Sequence, residues 1–313
     1  MTLVQAKGLS KHFGDFTAVD NVSFDVSRGE VAGFLGPNGA GKSTTMKMLT
    51  GFLPADAGQA HINGFDVAQD PVKAKQQLGY LPEGAPAYGD MSVAEYLNFI
   101  GRMRGLSRAM LRERLAEMVE RVGLQDVWNR RIENLSKGFS RRVGIAQALV
   151  HDPDVLILDE PTDGLDPNQK HEMRLLIRQI AAQKAIIIST HILEEVEAIC
   201  TRAIIIARGR VVADKTPEQL MQPDGTMRQV QVVVAAVGLQ IARDALEAAA
   251  PAHQVQVLEQ RGAQARLMIS SSDDAFVPEH VLQVLAGKQV SVLEISAYRS
   301  SLEDVFRTIT RDQ

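Results

Sequence analysis

The sequence predicts an α/β protein followed by a smaller α+β domain, and three observations support this fold class. A glycine-rich loop at residues 36–44 lies between an apolar run and a helical run. Two later apolar runs end in acidic residues or in a histidine, as parallel strands do when a binding site lies at their C-terminal edge. Beyond residue 226, short strand-like and helix-like segments alternate in a separate pattern.

Length and composition limit the classes of protein. The 313 residues are enough for two domains, and 45% hydrophobic with 23% charged residues is typical of globular proteins. The net charge of −4 gives no basic field for nucleic acid. A single cysteine, Cys200, excludes a disulfide framework and a cysteine-based zinc site, and it fits a reducing, cytoplasmic setting.

The distribution of apolar residues bears on membrane contact. The N-terminal residues MTLVQAKGLSKHFG contain no long apolar stretch, so we expect no signal peptide. No run approaches the length of a membrane-spanning helix, so we expect the chain not to cross a membrane by itself.

The glycine-rich loop reads GPNGAGKST and matches the spacing G-x-x-x-x-G-K-S. Backbone N–H groups in such a loop point at an anion, and the following helix N-terminus adds partial positive charge. Lys42 is placed to reach β- and γ-phosphates, and the Ser43 hydroxyl suits Mg²⁺. The alternative is a turn that binds nothing, but the flanking strand and helix favour a nucleotide site. Its candidate contacts are Gly36, Pro37, Asn38, Gly39, Ala40, Gly41, Lys42, Ser43 and Thr44.

The segments around this loop predict strands first and helices later. Alternating residues from Leu3 to Leu35 predict strands, and Phe13 in an early turn is either a purine-stacking residue or a small core aromatic. From Ser92 to about Trp128 the periodicity is helical. The arginines of this stretch alternate with acids and are interpreted as a solvated helix face, not a nucleic-acid patch: Arg102, Arg104, Arg108, Arg112 and Arg114.

A second dense block lies between residues 135 and 191. Ser136 precedes a helical run and is either its N-cap or part of a second anion site. The apolar run 155–158 ends in Asp159 and Glu160, which are placed to hold Mg²⁺ and to orient or deprotonate a water. A later strand ends near His191, which is either a capped turn residue or a γ-phosphate contact.

In this order and spacing, the motifs resemble those of the ATP-binding subunit of an ABC transporter. The glycine-rich loop corresponds to Walker A, and the family's signature motif corresponds to LSKGF at residues 135–139. Walker B corresponds to VLILDE at 155–160, and the D-loop to PTDGLD at 161–166. His191 corresponds to the switch histidine, and the resemblance covers residues 3–219.

The resemblance implies a P-loop NTPase core at residues 1–220, with an N-terminal antiparallel β subdomain and a helical subdomain at about 85–150. It implies that Phe13 stacks on adenine and that Asp166, in the D-loop, couples two sites. It also implies that the signature residues act on ATP held by another subunit: Leu135, Ser136, Lys137 and Gly138.

Three positions depart from the family pattern. Glu83 stands where the family usually has the glutamine that senses Mg²⁺; its carboxylate can still hold a hard cation, so it remains a metal candidate. Arg141 and Asp163 stand in the signature helix and the D-loop, where the family more often has uncharged residues.

The implied function is ATP hydrolysis coupled to export, with Lys42, Glu160 and His191 as catalytic residues and ATP and Mg²⁺ as cofactors. The implied partners are a second ATPase subunit, with a homodimer as the simplest case, and a membrane permease; the implied location is the cytoplasmic face of the inner membrane.

A rival class is a soluble mechanoenzyme acting on DNA or ribosomes, but the chain has neither a second ATPase core nor a sustained heptad pattern. A non-hydrolysing binding module is disfavoured because Glu160 and His191 are both present.

The C-terminal region, residues 221–313, predicts strands and helices in the order βαββαβ plus a last helix, which indicates a ferredoxin-like domain. Residues 217–226 are expected to be the linker. A tail ending in a similar SLEDVF helix resembles that of bacterial exporter ATPases of drug-resistance and gliding-motility types, which implies regulation or dimer stabilisation.

Overall fold

The computed structural model describes residues 1–85, 87–221, 228–249, 254–271, 278–298 and 302–311. The chain divides into two compact units, one of Met1–Pro217 with Phe306–Gln313 and the other of Glu218–Val305. The expected linker at 217–226 begins with a helix, Pro217–Met221, and its remainder lies outside the described residues. None of the described helices is long and apolar enough to cross a membrane.

The strands up to residue 215 are β1 (Thr2–Phe13), β2 (Phe16–Ser27), β3 (Val31–Leu35), β4 (Ala57–Ile62), β5 (Phe65–Asp66), β6 (Leu78–Leu81), β7 (Val155–Asp159), β8 (Ala185–Thr190), β9 (Arg202–Ala207) and β10 (Arg210–Lys215). The helices up to residue 221 are α1 (Lys42–Leu49), α2 (Pro71–Gln76), α3 (Val93–Met103), α4 (Arg108–Val122), α5 (Lys137–Leu149), α6 (Pro167–Ala181), α7 (Leu193–Ile199) and α8 (Pro217–Met221).

A six-stranded sheet in the order β10-β9-β3-β8-β7-β6 forms the centre of the first unit. Strand β10 is antiparallel to β9, and the other neighbours are parallel. Every residue of β3, β7 and β8 is buried, which explains their continuous apolar sequences. Because these three strands are parallel neighbours, the loops that follow them meet at one edge of the sheet. The predicted α/β fold with a parallel sheet is confirmed.

A second, antiparallel sheet in the order β2-β1-β4-β5 is the predicted N-terminal β subdomain. Its hairpin from β4 to β5 turns at Asn63 and Gly64, which both have positive φ as a tight two-residue turn requires. The sheet packs on the central one, and the rings of Phe24 and Phe34 lie 5.3 Å apart in the shared core.

Helices α3, α4 and α5 pack together as the helical part of this unit. Helix α3 begins with a capping box, in which Ser92 and Glu95 bond each other's backbone N–H groups. The prediction that all five arginines of this stretch are solvated is wrong for two. Arg104 is half-buried and donates to the Lys75 carbonyl, and Arg114 pairs with Glu117 and with Asp152 of the α5–β7 loop.

The second unit is built from β11 (Arg228–Ala235), α9 (Leu239–Ala249), β12 (Gln254–Arg261), β13 (Gln264–Ser271), α10 (Pro278–Ala286) and β14 (Val292–Tyr298), and α11 (Leu302–Arg311) follows. Its strands form one antiparallel sheet in the order β12-β13-β11-β14. The element order agrees with the predicted βαββαβ pattern, while the ferredoxin-like assignment stays a prediction. Helices α9 and α10 contribute Leu246 and Leu285 to its core.

Candidate nucleotide-binding site

The glycine-rich loop connects β3 to α1 at the edge of the central sheet. The Lys42 side chain is buried and turns back over the loop, where its Nζ donates to the carbonyls of Gly36 at 2.7 Å and Pro37 at 3.2 Å. Burial lowers the pKa of Lys42, while Glu160, Asp159 and Glu83 raise it through their charges. The ammonium group therefore lies within the field of three carboxylates at one end of the sheet.

Two glycines of this loop are required by backbone geometry. Gly41 begins α1 with a φ of 105°, and a Cβ there would lie 2.5 Å from the Ala18 carbonyl oxygen. A Cβ on Gly36 would lie 2.4 Å from the Ile206 carbonyl oxygen. The loop therefore lies so close to the backbone of β2 and β9 that a side chain at position 36 or 41 would push the loop away from these strands.

A cavity of about 270 Å³ opens over the loop and brings together most of the predicted nucleotide contacts. Two aromatic side chains form one wall, Phe13 with 51% and Phe16 with 61% of its surface exposed. The lining also includes two acidic residues, Glu83 and Glu160. The loop itself contributes Asn38, Gly39, Gly41, Lys42, Ser43 and Thr44.

Phe16 lines this cavity but is not among the residues that the sequence predicts for it. It pairs with Phe13 across the turn between β1 and β2, so both rings project from the same hairpin end. The signal was present in the sequence HFGDF, because a two-residue turn at Gly14 and Asp15 makes the flanking phenylalanines cross-strand neighbours.

Asp159 ends β7 in a position that fits a hard cation. It is 2% exposed, its Oδ1 has no hydrogen-bond partner among the described residues, and burial raises its pKa. An unpartnered buried carboxylate oxygen is costly unless a cation or water satisfies it. The Ser43 hydroxyl and the Glu83 carboxylate supply two more oxygen donors near the loop, so this donor set fits Mg²⁺. Among the described residues, no three His, Cys, Asp or Glu side chains lie together so that they could hold a metal. That donor set has only two such side chains, Asp159 and Glu83, and its third donor is a hydroxyl.

Glu160 occupies a strained position next to Asp159. Its φ of 50° is in the left-handed region, although it is not glycine and precedes Pro161. Its N–H donates to the Ser189 carbonyl, which holds the turn against β8. Backbone strain of this kind is characteristic of functional sites, where surrounding contacts hold a side chain in one direction.

His191 directly contacts Glu160. The imidazole Nδ1 lies 2.9 Å and 3.0 Å from the two carboxylate oxygens of Glu160, a geometry that fits an Nδ1–H donor. Half of the His191 side chain is exposed, whereas only 12% of the Glu160 side chain is. The structure therefore joins the Walker B acid and the predicted switch histidine in one pair at the loop's edge.

The signature residues lie elsewhere. Ser136 caps α5 and accepts from the Phe139 N–H at 3.4 Å, as its N-cap interpretation predicts. Leu135 and Lys137 line a separate cavity of about 530 Å³ together with Arg141 and Asp163. Gly138 packs so closely on the Gln169 side chain that a Cβ there would approach within 2.7 Å. None of the residues 135–138 lines the cavity over the glycine-rich loop.

The D-loop residue Asp166 caps the next helix. Its Oδ1 accepts from the Gln169 N–H at 2.9 Å and so begins α6. The sequence departures lie close to this region: Arg141 is 7% exposed, and its Nη1 has no hydrogen-bond partner among the described residues. The signature motif and the D-loop therefore lie apart from the cavity over the phosphate loop.

Comparison with known proteins gives consistent results. The sequence profile of the ABC transporter family matches residues 19–163. The chain is 33% identical over 98% of its length, and 98% of the relative's, to the linearmycin resistance ATP-binding protein LnrL of Bacillus subtilis. It is 40% identical over 73% of its length to the probable multidrug ABC transporter ATP-binding protein YbhF of Escherichia coli, of which it spans 41%.

A solved structure of an ATP-binding subunit of an ABC transporter superposes on 70% of this chain and 91% of its own, with a TM-score of 0.65 and 33% identity. The sheet order, the phosphate loop and the near full-length match to LnrL agree with one another. The chain belongs to the ATP-binding subunits of the ABC transporter family, which are ATPases.

Proposed function

We propose that this chain binds and hydrolyses ATP to power export through a separate membrane permease. The observation that carries this proposal is the convergence of Lys42, Asp159 and the Glu160–His191 pair at one edge of the central sheet. Export is favoured because the relative that matches over nearly the full length is named for linearmycin resistance.

The phosphate loop and its neighbours are the part of the site that would bind the nucleotide. Its N–H groups and the Lys42 ammonium would hold the phosphates, and the exposed rings of Phe13 and Phe16 would stack on the base. Ser43, Asp159 and Glu83 would hold Mg²⁺, which neutralises phosphate charge when it is bound.

Glu160 and His191 are the residues that would act in the hydrolysis step. The Glu160 carboxylate would orient the attacking water and accept its proton, and the strained turn holds it at the edge of the cavity. The imidazole of His191 orients that carboxylate through Nδ1 and leaves its exposed edge for the γ-phosphate. Fixed charges around the transferred phosphoryl group are the main source of catalysis in this type of reaction.

A second copy of the chain would complete the site. Ser136 and Gly138 do not line the cavity over the phosphate loop, and their neighbours Leu135 and Lys137 line a separate cavity. This separation supports an action of the signature residues on ATP held by the other subunit. Both halves of the composite site occur in one chain, so a homodimer is the simplest assembly. Its closure on ATP and opening after hydrolysis would be the mechanical step.

The permease would dock near Glu83 and the helices of residues 92–128. Tyr88 and Phe99 are 55% and 37% exposed there, and their rings meet edge to face at 5.8 Å. Exposed aromatic pairs of this kind are common at protein interfaces. Docking on a permease would place the chain at the cytoplasmic face of the inner membrane.

The test of the hydrolytic role is the Glu160→Gln variant. Turnover of MgATP should fall by about a hundredfold or more, because an amide cannot accept the proton of water, while the Kd for ATP stays close to wild type. Calorimetric titration with ATP serves as the binding control. Unchanged turnover would contradict the assignment of Glu160.

A further inference from the structure

Glu195 is a buried carboxyl group that the reaction described above does not use. It lies in the first turn of α7 and is 1% exposed. Its Oε2 accepts a hydrogen bond from the Thr190 hydroxyl at 3.1 Å, while its Oε1 is buried without a hydrogen-bond partner. Burial raises the pKa of this carboxyl, and the charges of Lys170 and Arg174 on α6 lower it.

This carboxyl closes a set of hydrogen bonds around His191. The Thr190 hydroxyl donates to Glu195 and accepts from the Ile192 N–H at 3.0 Å. The Glu195 N–H in turn donates to the Ile192 carbonyl at 3.2 Å. The backbone on both sides of His191 is thus tied to one buried hydroxyl and one buried carboxyl.

The His191 side chain depends on this turn for its direction. Its only hydrogen-bond partner among the described residues is the Glu160 carboxylate, and half of its surface is exposed. Little packing therefore orients the ring, so its position relative to Glu160 follows the backbone of residues 190–192. A small rotation of that turn would separate the pair.

Stability alone does not explain a carboxyl group at this position. Burying an ionisable group with one oxygen unpartnered costs free energy, and apolar replacements of buried charged groups are often neutral or stabilising. A site of this kind is better explained by the direction it gives to a neighbouring functional residue.

We propose that Thr190 and Glu195 are positioning residues for the reaction: together they fix the turn that holds His191 against Glu160. This inference rests on the proposed ATPase function. Neither residue lines the cavity over the phosphate loop, so we expect both to act mainly through His191.

Four single variants of the full chain test this with MgATP as substrate. Thr190→Val and Glu195→Met keep side-chain size and remove the hydrogen bond, and we expect each to lower kcat about tenfold with little change in KM. Thr190→Ser and Glu195→Gln keep the hydroxyl or an acceptor oxygen, and we expect them to retain most of the wild-type kcat. Glu197→Met, at an exposed position of the same helix, is the matched control.

Two further measurements separate positioning from a general structural role. The melting temperature of Glu195→Met should equal or exceed that of wild type while its kcat falls. In a His191→Ala background, Thr190→Val should change the single-turnover rate by less than about twofold, because the residue it positions is absent. Single-turnover conditions with excess protein make these slow rates measurable.

The outcomes are distinct. Failure of the wild-type chain to hydrolyse ATP would overturn the proposed function itself. With an active wild type, a wild-type kcat in Glu195→Met, or an equal loss in the His191→Ala background, would overturn the positioning role. If Thr190→Val does not fold, the Glu195→Met and Glu195→Gln pair decides the question.

Discussion

At the edge of the central sheet, buried groups of opposite charge offset part of one another's burial. Burial lowers the pKa of Lys42 and raises that of Asp159, and each charge acts against the shift of the other. In the proposed function the same residues would provide the donors and acceptors for a magnesium nucleotide. Their spacing in sequence predicts these roles, because the loop motif and the Asp–Glu pair are local patterns that strand direction brings together.

The two phenylalanines of the cavity wall differ in whether a local sequence pattern predicts them. Phe13 was a candidate from the sequence, but Phe16 was not, because its place at the site depends on pairing across the β1–β2 turn.

We expect Phe13→Ala to weaken ATP binding by about tenfold, since stacking on a base contributes about 1–3 kcal/mol. Phe52→Ala removes a ring that is even more exposed and lies outside the cavity, and it should leave the Kd unchanged in the same calorimetric titration. Equal affinities for the two variants would contradict base stacking.

At the scale of elements, strands that are buried on both faces are predictable and strand order is not. The runs in β3, β7 and β8 are continuous and apolar, so each was visible in the sequence. Their order in the sheet depends on parallel pairing between distant segments, which no local pattern records. The six-residue helix α2 escaped detection because it is too short to show a helical period.

His151 joins α5 to the sheet and gives the fold a pH dependence. Its Nε2 lies 3.1 Å from the Leu78 carbonyl oxygen, and its buried Nδ1 has no partner among the described residues. Burial, together with the charge of Arg104, lowers the pKa of His151 to about 4. Protonation would place a proton on Nδ1 where no acceptor lies.

The sign of this effect follows from the lowered pKa. The unfolded chain binds the proton near pH 6.5 and the folded chain near pH 4, so stability is present above pH 6.5 and is lost as pH falls towards 4. Between pH 7 and pH 5 we expect His151 to account for about 2 kcal/mol of lost unfolding free energy. His151→Gln keeps an Nε donor for Leu78 and should remove that part in urea unfolding. The same loss in both proteins would contradict this account.

At the scale of the whole molecule, one chain contains both halves of the composite site that we propose to form between two chains. The phosphate loop and the Glu160–His191 pair share one sheet edge, whereas the signature residues Leu135 and Lys137 line a separate cavity with Arg141 and Asp163. Sequence motifs predict both halves but not their separation, which depends on how the helices α3, α4 and α5 pack. Closure between two chains would unite the halves.

Mixing two inactive variants tests this central claim most directly. Lys42→Ala removes the phosphate contact and Gly138→Asp obstructs the signature region, so each variant alone should hydrolyse almost no ATP. If the halves act between chains, an equal mixture should regain about one quarter of the wild-type rate, because half of randomly formed dimers are mixed and each holds one complete site. If the two halves act within one chain, the mixture will remain as inactive as its components, which would contradict the account.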